Sequence, residues 1–156
     1  MRVLFLDVDG VLNNDDWAWE MYKKYKVEVY RNNILYQPHL EQLRRIINET
    51  DAKIVVSSSW RKIPSAYADL KRWLQMYGME VFDETPYVGG IRGDDIEAWF
   101  KRNKDKDIEA YAILDDDTDM GEHYSHLINT FYMEGLTPEM ADECIKMLGG
   151  KKNENH

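Results

Sequence analysis

The sequence predicts an α/β fold built around a mainly parallel sheet, and three observations carry that prediction. Short apolar runs at Val3-Leu4-Phe5-Leu6, Ile54-Val55-Val56 and Tyr111-Ala112-Ile113-Leu114 neither alternate nor extend far enough to be helices, which is how strands covered on both faces read. Segments of helical period separate these runs. No internal repeat or low-complexity stretch interrupts the pattern, which excludes a solenoid or an array. Strands that alternate with helices join through right-handed crossovers and pair as parallel neighbours.

At 156 residues the chain has room for one core, so residues 1–150 are taken as a single domain and residues 151–156 as a polar tail. Apolar residues make up 44% and charged ones 31%, a globular composition, and no run approaches the ~20 apolar residues of a membrane helix, so no membrane partner is expected. The 29 acidic against 20 basic side chains, net −9, exclude a wholly cationic nucleic-acid surface. A phosphate-bearing ligand must therefore be met locally, by a metal ion or a few placed Arg and Lys. The lone Cys144 cannot form an internal disulfide, and residues 1–15 lack the apolar core of a signal peptide, so a cytoplasmic location is the expectation. Cys144 shares an apolar helical face with Met140, Met147 and Leu148, which predicts packing rather than nucleophilic chemistry.

Each element has its own warrant. After the first strand, residues 13–37 carry Trp17, Trp19, Tyr22, Tyr25, Tyr30 and Tyr36 among scattered charges and fit neither strand nor plain helix, so they are read as a flap or small cap whose aromatics either pack on the core, the favoured reading, or face a ligand. A helix follows over roughly Pro38 to Glu49, with Leu40, Leu43, Ile46 and Ile47 on one face. The second strand leads into a helix from Ser65 to Tyr77 on Leu70, Trp73 and Leu74, closed by Gly78. A short strand at Glu80 to Phe82, a turn region through Thr85-Pro86 and Gly89-Gly90, and a helix from Asp94 to Lys101 on Ile96, Trp99 and Phe100 come next. The third apolar strand precedes a last helix capped by Thr137, started by Pro138 and stopped by Gly149.

Ligands in doubly wound sheets bind beyond the carboxyl ends of the strands, and all three apolar strands end in oxygen-bearing residues. The first runs into Asp7-Val8-Asp9-Gly10, the second into Ser57-Ser58-Ser59-Trp60-Arg61, the third into Asp115-Asp116-Asp117-Thr118-Asp119. Any one of these segments alone reads equally well as a turn or a helix cap. Together they bring several carboxylates and a hydroxyl to one edge, a crowd that a cation would neutralise, and an all-oxygen set suits Mg²⁺ rather than zinc. Calcium loops fail on register. Gly10 as the turn glycine would make Phe5 the first ligand, and a loop starting at Asp115 puts Met120 at the glycine position and His126 at that of the bidentate Glu.

The run Val3 to Leu12, an apolar strand followed by Asp7-Val8-Asp9-Gly10, resembles the first motif of the haloacid dehalogenase (HAD) superfamily, and the order of the later segments is similar to that superfamily's remaining motifs across most of the chain. Ser58-Ser59-Trp60-Arg61, Arg92-Gly93-Asp94-Asp95-Ile96 and Leu114-Asp115-Asp116-Asp117 resemble more narrowly the short phosphatase-like domains of polynucleotide kinase–phosphatases and RNA-repair proteins. The resemblance implies a HAD-like Rossmannoid three-layer sandwich with at most a small cap, and a phosphatase that works in two steps. Asp7 would attack phosphorus and form an aspartyl-phosphate, and Asp9 would protonate the leaving alkoxide and then deprotonate the hydrolytic water. An Asp at this second position separates the phosphatases from the dehalogenases. Asp7, the backbone of Asp9, Asp115 and Asp116 would hold Mg²⁺. Ser58 is the chosen hydroxyl for the transferring phosphoryl, with Ser57 the alternative one residue earlier. Where the superfamily has a Lys, sometimes an Arg, this chain offers Arg92, whose guanidinium can bridge two anions. Arg61 is a second candidate for the phosphate, Lys101, Arg102, Lys104 and Lys106 form a solvated helix end, and Asp117 and Asp119 serve as turn and cap groups.

The implied partner is a small phosphorylated substrate, a nucleotide or a nucleic-acid end, with Trp60, Trp17 or Trp19 available to stack on a base. The competing reading is a non-catalytic HAD-like module that binds Mg²⁺ or a phosphorylated partner, which the pair Asp7 and Asp9 disfavours. Nothing in the sequence indicates an oligomeric state.

Overall fold

The structure, a computed structural model, describes residues 1–150; the polar tail, with Lys151 and Lys152, lies outside the described residues. Strands β1 (Arg2–Leu6), β2 (Lys53–Val56), β3 (Val81–Glu84), β4 (Ala110–Asp115) and β5 (Leu127–Asn129) form one parallel sheet in the order β3-β2-β1-β4-β5. The order reverses direction between β1 and β4, so the crevice beyond their carboxyl ends is the place where such a sheet receives a ligand. The helices are α1 (Asp15–Tyr25), α2 (Gln37–Thr50), α3 (Pro64–Met76), α4 (Arg92–Arg102) and α5 (Pro138–Met147).

Strand residues alternate between two cores because side chains in a strand point to opposite faces. Leu4, Leu6, Ile54, Val56, Ala112 and Leu114 pack with α2, α3 and α5, where Leu40, Leu43, Leu70, Leu74 and Cys144 are fully buried. Val3, Phe5, Val55 and Ile113 pack with Ile96 and Trp99 of α4, Trp99 standing edge-on to Phe5 at 5.4 Å between ring centres. The expected three layers follow, and the continuous apolar runs reflect a sheet covered on both sides. Thr137 caps α5 as expected, its Oγ1 accepting from the Met140 amide at 3.2 Å. Among the described residues no helix is long and apolar enough to cross a membrane.

Three elements differ from expectation. Residues 13–37 contain a regular helix, α1, started by Asn14, whose Oδ1 accepts from the Trp17 amide at 2.7 Å, with Asp15 and Asp16 in its first turn. None of its residues is buried, so the expected packing of the flap aromatics is corrected: Trp19, Tyr22, Tyr25 and Tyr30 are exposed, while half-buried Trp17 and Tyr36 pack on each other at 4.8 Å. The polar residues of α1 blurred the helical period. β5, at three residues, is too short to stand out from a loop. Finally, α4 begins at Arg92, two residues before the expected Asp94.

Although α1 buries nothing, its root is fixed. Asn14 Nδ2 donates to Nε2 of buried His39 at 2.8 Å, which leaves the His39 proton on Nδ1, donated to the Leu136 carbonyl at 2.8 Å. Burial pushes the imidazole down to about 4, so it is neutral at physiological pH and ties α1, α2 and the turn before α5 together.

Candidate active site

Backbone pairing continues one residue beyond four strands. The amides of Asp7, Ser57 and Thr85 donate to the carbonyls of Leu114, Leu6 and Val56, each at 3.0 Å, and Thr130 donates to Asp115 at 3.0 Å. Thr85, Ser57, Asp7 and Asp115 therefore form a row across the carboxyl edge, in the same alternation as Asp83, Val55, Phe5 and Ile113, on the α4 side of the sheet. Asp7 and Asp115 flank the point where the strand order reverses.

Asp7, Asp115 and Asp116 bring one carboxylate oxygen each to within 4.8 Å of one another. Gly10 makes the approach of Asp116 feasible. Its φ of +78° is the left-handed region, and a Cβ there would run into the Asp116 carboxylate. Crowding shows in the acidities. Burial first, then the Asp115 charge, pushes Asp7 up to about 7 against the opposing pull of Arg92. Burial raises Asp115 to about 6, again opposed by Arg92, and burial followed by the Asp7 charge raises Asp116 to about 6. Three hard oxygen donors that disfavour their own ionisation fit a divalent cation such as Mg²⁺, whose charge would reverse that preference.

Arg92 faces the cluster from the first residue of α4. Its Nη1 donates to Asp115 Oδ2 at 3.1 Å and lies 3.5 Å from Asp7 Oδ1. Burial alone would lower the guanidinium's pKa, but Asp7, Asp115 and Asp119 more than offset it, so the group is held above its ordinary value and stays charged. Asp119 positions the helix start, accepting from the Arg92 amide at 3.2 Å through Oδ2 and from the Gly93 amide at 3.0 Å through its carbonyl. Gly93 is required for that contact because a Cβ would strike the Met120 carbonyl. Asp117 gives its amide to Asp115 Oδ1 at 3.0 Å and accepts from the Thr118 amide at 2.8 Å, which is the geometry of a turn.

Asp9 is exposed beside the cluster, its carboxylate held by two donors: Asn13 Nδ2 at 2.9 Å and Trp60 Nε1 at 3.2 Å. Asn13 also accepts from the Gly10 amide at 2.8 Å, and Thr130 Oγ1 donates to the Gly10 carbonyl at 2.7 Å, so the loop after β1 is anchored from β5. Sequence reasoning missed Asn13 and Thr130, whose side chains carry no motif of their own. Trp60 is corrected by the same bond. At 6% exposed and facing Asp9, it orients a carboxylate and offers no open ring for a base.

The two serines divide differently from the expectation. Ser58 Oγ accepts from the Trp60 amide at 3.1 Å and so caps a 3₁₀ turn, Ser59–Lys62. Ser57, fully buried and next to Asp7 in the row, has an Oγ with no partner among the described residues, as does Thr85 beside it. A buried hydroxyl without a partner is costly, and of the two only Ser57 adjoins Asp7 in the row.

Arg61 does not face the site at all. Its Nε donates to the Thr85 carbonyl at 2.9 Å, Nη1 to the Ser57 and Ser58 carbonyls at 2.9 and 2.7 Å, and Nη2 to the Pro86 carbonyl at 3.3 Å and Asp95 Oδ2 at 3.0 Å. All five N–H groups of a guanidinium are thereby engaged, so the reading of Arg61 as a phosphate ligand is corrected: it is a buried pin between the loops after β2 and β3. Asp95, unnoticed in the sequence, completes the pin and accepts from the Val88 amide at 3.0 Å. Arg61→Met leaves Asp95 and four carbonyls without their donor and is expected to destabilise the fold by roughly 3–5 kcal/mol. A fall of about 10 °C or more in melting temperature checks this; a shift under about 2 °C would contradict it.

A parallel sheet with an Asp-x-Asp-Gly turn after its first strand and paired aspartates ending the strand beside it defines a HAD-like domain. The family model described as the HAD domain in Swiss Army Knife RNA repair proteins matches residues 3–141, a span that includes every residue of the site, and the chain belongs to that family. No curated protein and no solved structure gives a match.

Proposed function

We propose that this protein is a Mg²⁺-dependent phosphomonoester hydrolase that forms an aspartyl-phosphate on Asp7. One observation carries the reading: three carboxylates from two separated segments lie within 4.8 Å, with Arg92 reaching both Asp7 and Asp115. Asp7, Asp115, Asp116 and the backbone carbonyl of Asp9 would hold the ion, which when bound neutralises the repulsion between carboxylate and phosphate. An Asp7 carboxylate oxygen attacks phosphorus as the bond from phosphorus to the ester oxygen breaks. Asp9 delivers a proton to that departing oxygen, then takes one from the water that attacks the aspartyl-phosphate, freeing inorganic phosphate and restoring both carboxyl groups. Arg92 fixes Asp7 and meets the phosphoryl charge, and the partnerless Ser57 hydroxyl, in place of Ser58, hydrogen-bonds a phosphoryl oxygen. The family's description, naming RNA repair proteins, supports a nucleotide or a nucleic-acid end as substrate.

The test is hydrolysis of a panel: 3′- and 5′-phosphorylated oligonucleotides, nucleoside monophosphates and sugar phosphates, in Mg²⁺ and in EDTA. Turnover is expected to fall by about 10²-fold or more in EDTA and to return with Mg²⁺. Hydrolysis undiminished by the chelator sinks the mechanism. No hydrolysis of any substrate, with a melting temperature still raised by Mg²⁺, leaves the non-catalytic module as the reading.

A further inference from the structure

A groove of about 480 Å³ outside the carboxylate cluster is lined by Trp19 and Tyr22 of α1, by Tyr30 and Arg31 of the turn that follows, and by the carboxylates Asp15 and Glu28. Its aromatic walls are open: Trp19 is 58% exposed, Tyr22 43% and Tyr30 40%. The Trp19 and Tyr22 rings, one helical turn apart, lie within 23° of parallel with centres 6.2 Å apart. A helix with four aromatics and no buried residue gains nothing for the core from those rings.

The groove is joined to the loop that follows Asp9. Tyr30 donates its hydroxyl to Asp15, the first residue of α1, which follows the Asp9–Asn14 turn directly. Burial first, then Asp15, Asp9 and Asp116, raises the Tyr30 hydroxyl above its ordinary value, so this wall is within electrostatic reach of the catalytic carboxylates. Charge also distinguishes the segment. Residues 15–31 carry four acidic and four basic side chains, so the chain's whole net charge of −9 lies elsewhere. Lys23 and Lys26 sit over the Trp19 and Tyr22 rings at 5.7 and 5.1 Å, Lys23 also pairing with Glu20 at 3.0 Å, and the carboxylates of Asp15 and Glu28 are engaged by Tyr30 and Arg31. Apolar ring faces flanked by ammonium groups match the alternation of bases and phosphates in a single strand.

We infer that Trp19, Tyr22 and Tyr30 form a stacking subsite for the nucleobase adjoining the terminal phosphate of a single-stranded nucleic acid, with Lys23, Lys26 and Arg31 meeting the next phosphates. The inference rests on the phosphatase reading above and deepens it: the enzyme selects a polynucleotide end over a small phosphate ester, by ring face rather than by base identity.

The test compares kcat/KM for a 3′- or 5′-phosphorylated single-stranded oligonucleotide with that for glycerol 3-phosphate, which has no ring to stack. In Trp19→Ala/Tyr22→Ala the ratio is expected to fall by about 10- to 100-fold, and Trp19→Phe is expected to keep most of it. A ratio within twofold of the wild type overturns the subsite. Dissociation of a wild-type dimer in the double variant with no change in the ratio overturns it too, by giving the rings a protein partner. A second arm is independent of turnover: anisotropy of a labelled oligonucleotide on the Asp7→Asn protein with and without the two ring substitutions. If the wild type hydrolyses neither substrate while the ring substitutions weaken binding by about tenfold, the phosphatase reading fails and the subsite stands. Equal binding with and without the rings overturns the subsite.

Discussion

Replacing Asp7 by Asn is expected to lower turnover by at least about 10³-fold while raising the melting temperature of the metal-free protein. The kinetic loss follows from the proposed mechanism, in which the Asp7 carboxylate is the nucleophile and a neutral amide cannot take its place. The gain in stability follows from linkage. Asp7 is pushed up from 3.8 to about 7 in the fold, so the folded state holds a proton there that the unfolded chain releases near pH 4. The resulting penalty is absent below pH 4, grows as pH rises through the window between these values and is complete above about pH 7. Asn never ionises and escapes it, so the gain is on the order of 2–4 kcal/mol at pH 8 and vanishes at pH 4. Thermal melts of both proteins from pH 4 to pH 8 in EDTA measure it, and equal slopes of melting temperature against pH would falsify the assignment of a buried, crowded carboxyl at this position.

Arg92→Ala is the second large effect. The guanidinium lies at hydrogen-bond distance from Asp115 and just beyond it from Asp7, and aligns the one while meeting charge carried by the other. Its removal is expected to lower kcat/KM by about 10²- to 10⁴-fold. Arg92→Lys keeps the charge without the planar fork and is expected to recover most of the loss. Without Arg92 the opposing pull on Asp7 and Asp115 disappears, so both carboxyls titrate still higher in the metal-free protein, which carbon-detected NMR can follow. Activity in Arg92→Ala within a factor of three of the wild type would remove this residue from the mechanism.

The three central strands β1, β2 and β4, with α2, α3 and α5, were legible because their periodicity is that of burial, and burial is what a parallel sheet imposes. The Asp7, Asp115 and Asp116 cluster was legible for a related reason: carboxylates at the ends of buried parallel strands have only the sheet edge to occupy, so linear order translates into proximity. α1 escaped because it buries no residue and owes its existence to the Asn14 cap and its own hydrogen bonds. Arg61 and Trp60 were misassigned since a sequence shows which donors are present but not which acceptors surround them; four backbone carbonyls and Asp95 claim the one, Asp9 the other. Which serine stands at the strand tip turned on where β2 ends, a one-residue question answered by the Ser57 amide continuing the ladder to Leu6.

The Arg61 hub also bears on how the molecule comes apart. One guanidinium gathers the exits of two neighbouring strands and the first turns of α4, so these segments cannot loosen one at a time. Amide hydrogens at Ser57, Thr85 and Val88 should then exchange with solvent only at the rate of the entire sheet, as one cooperative unit, while those of α1 exchange sooner. Heating would leave no stage at which the scaffold persists with a disorganised centre.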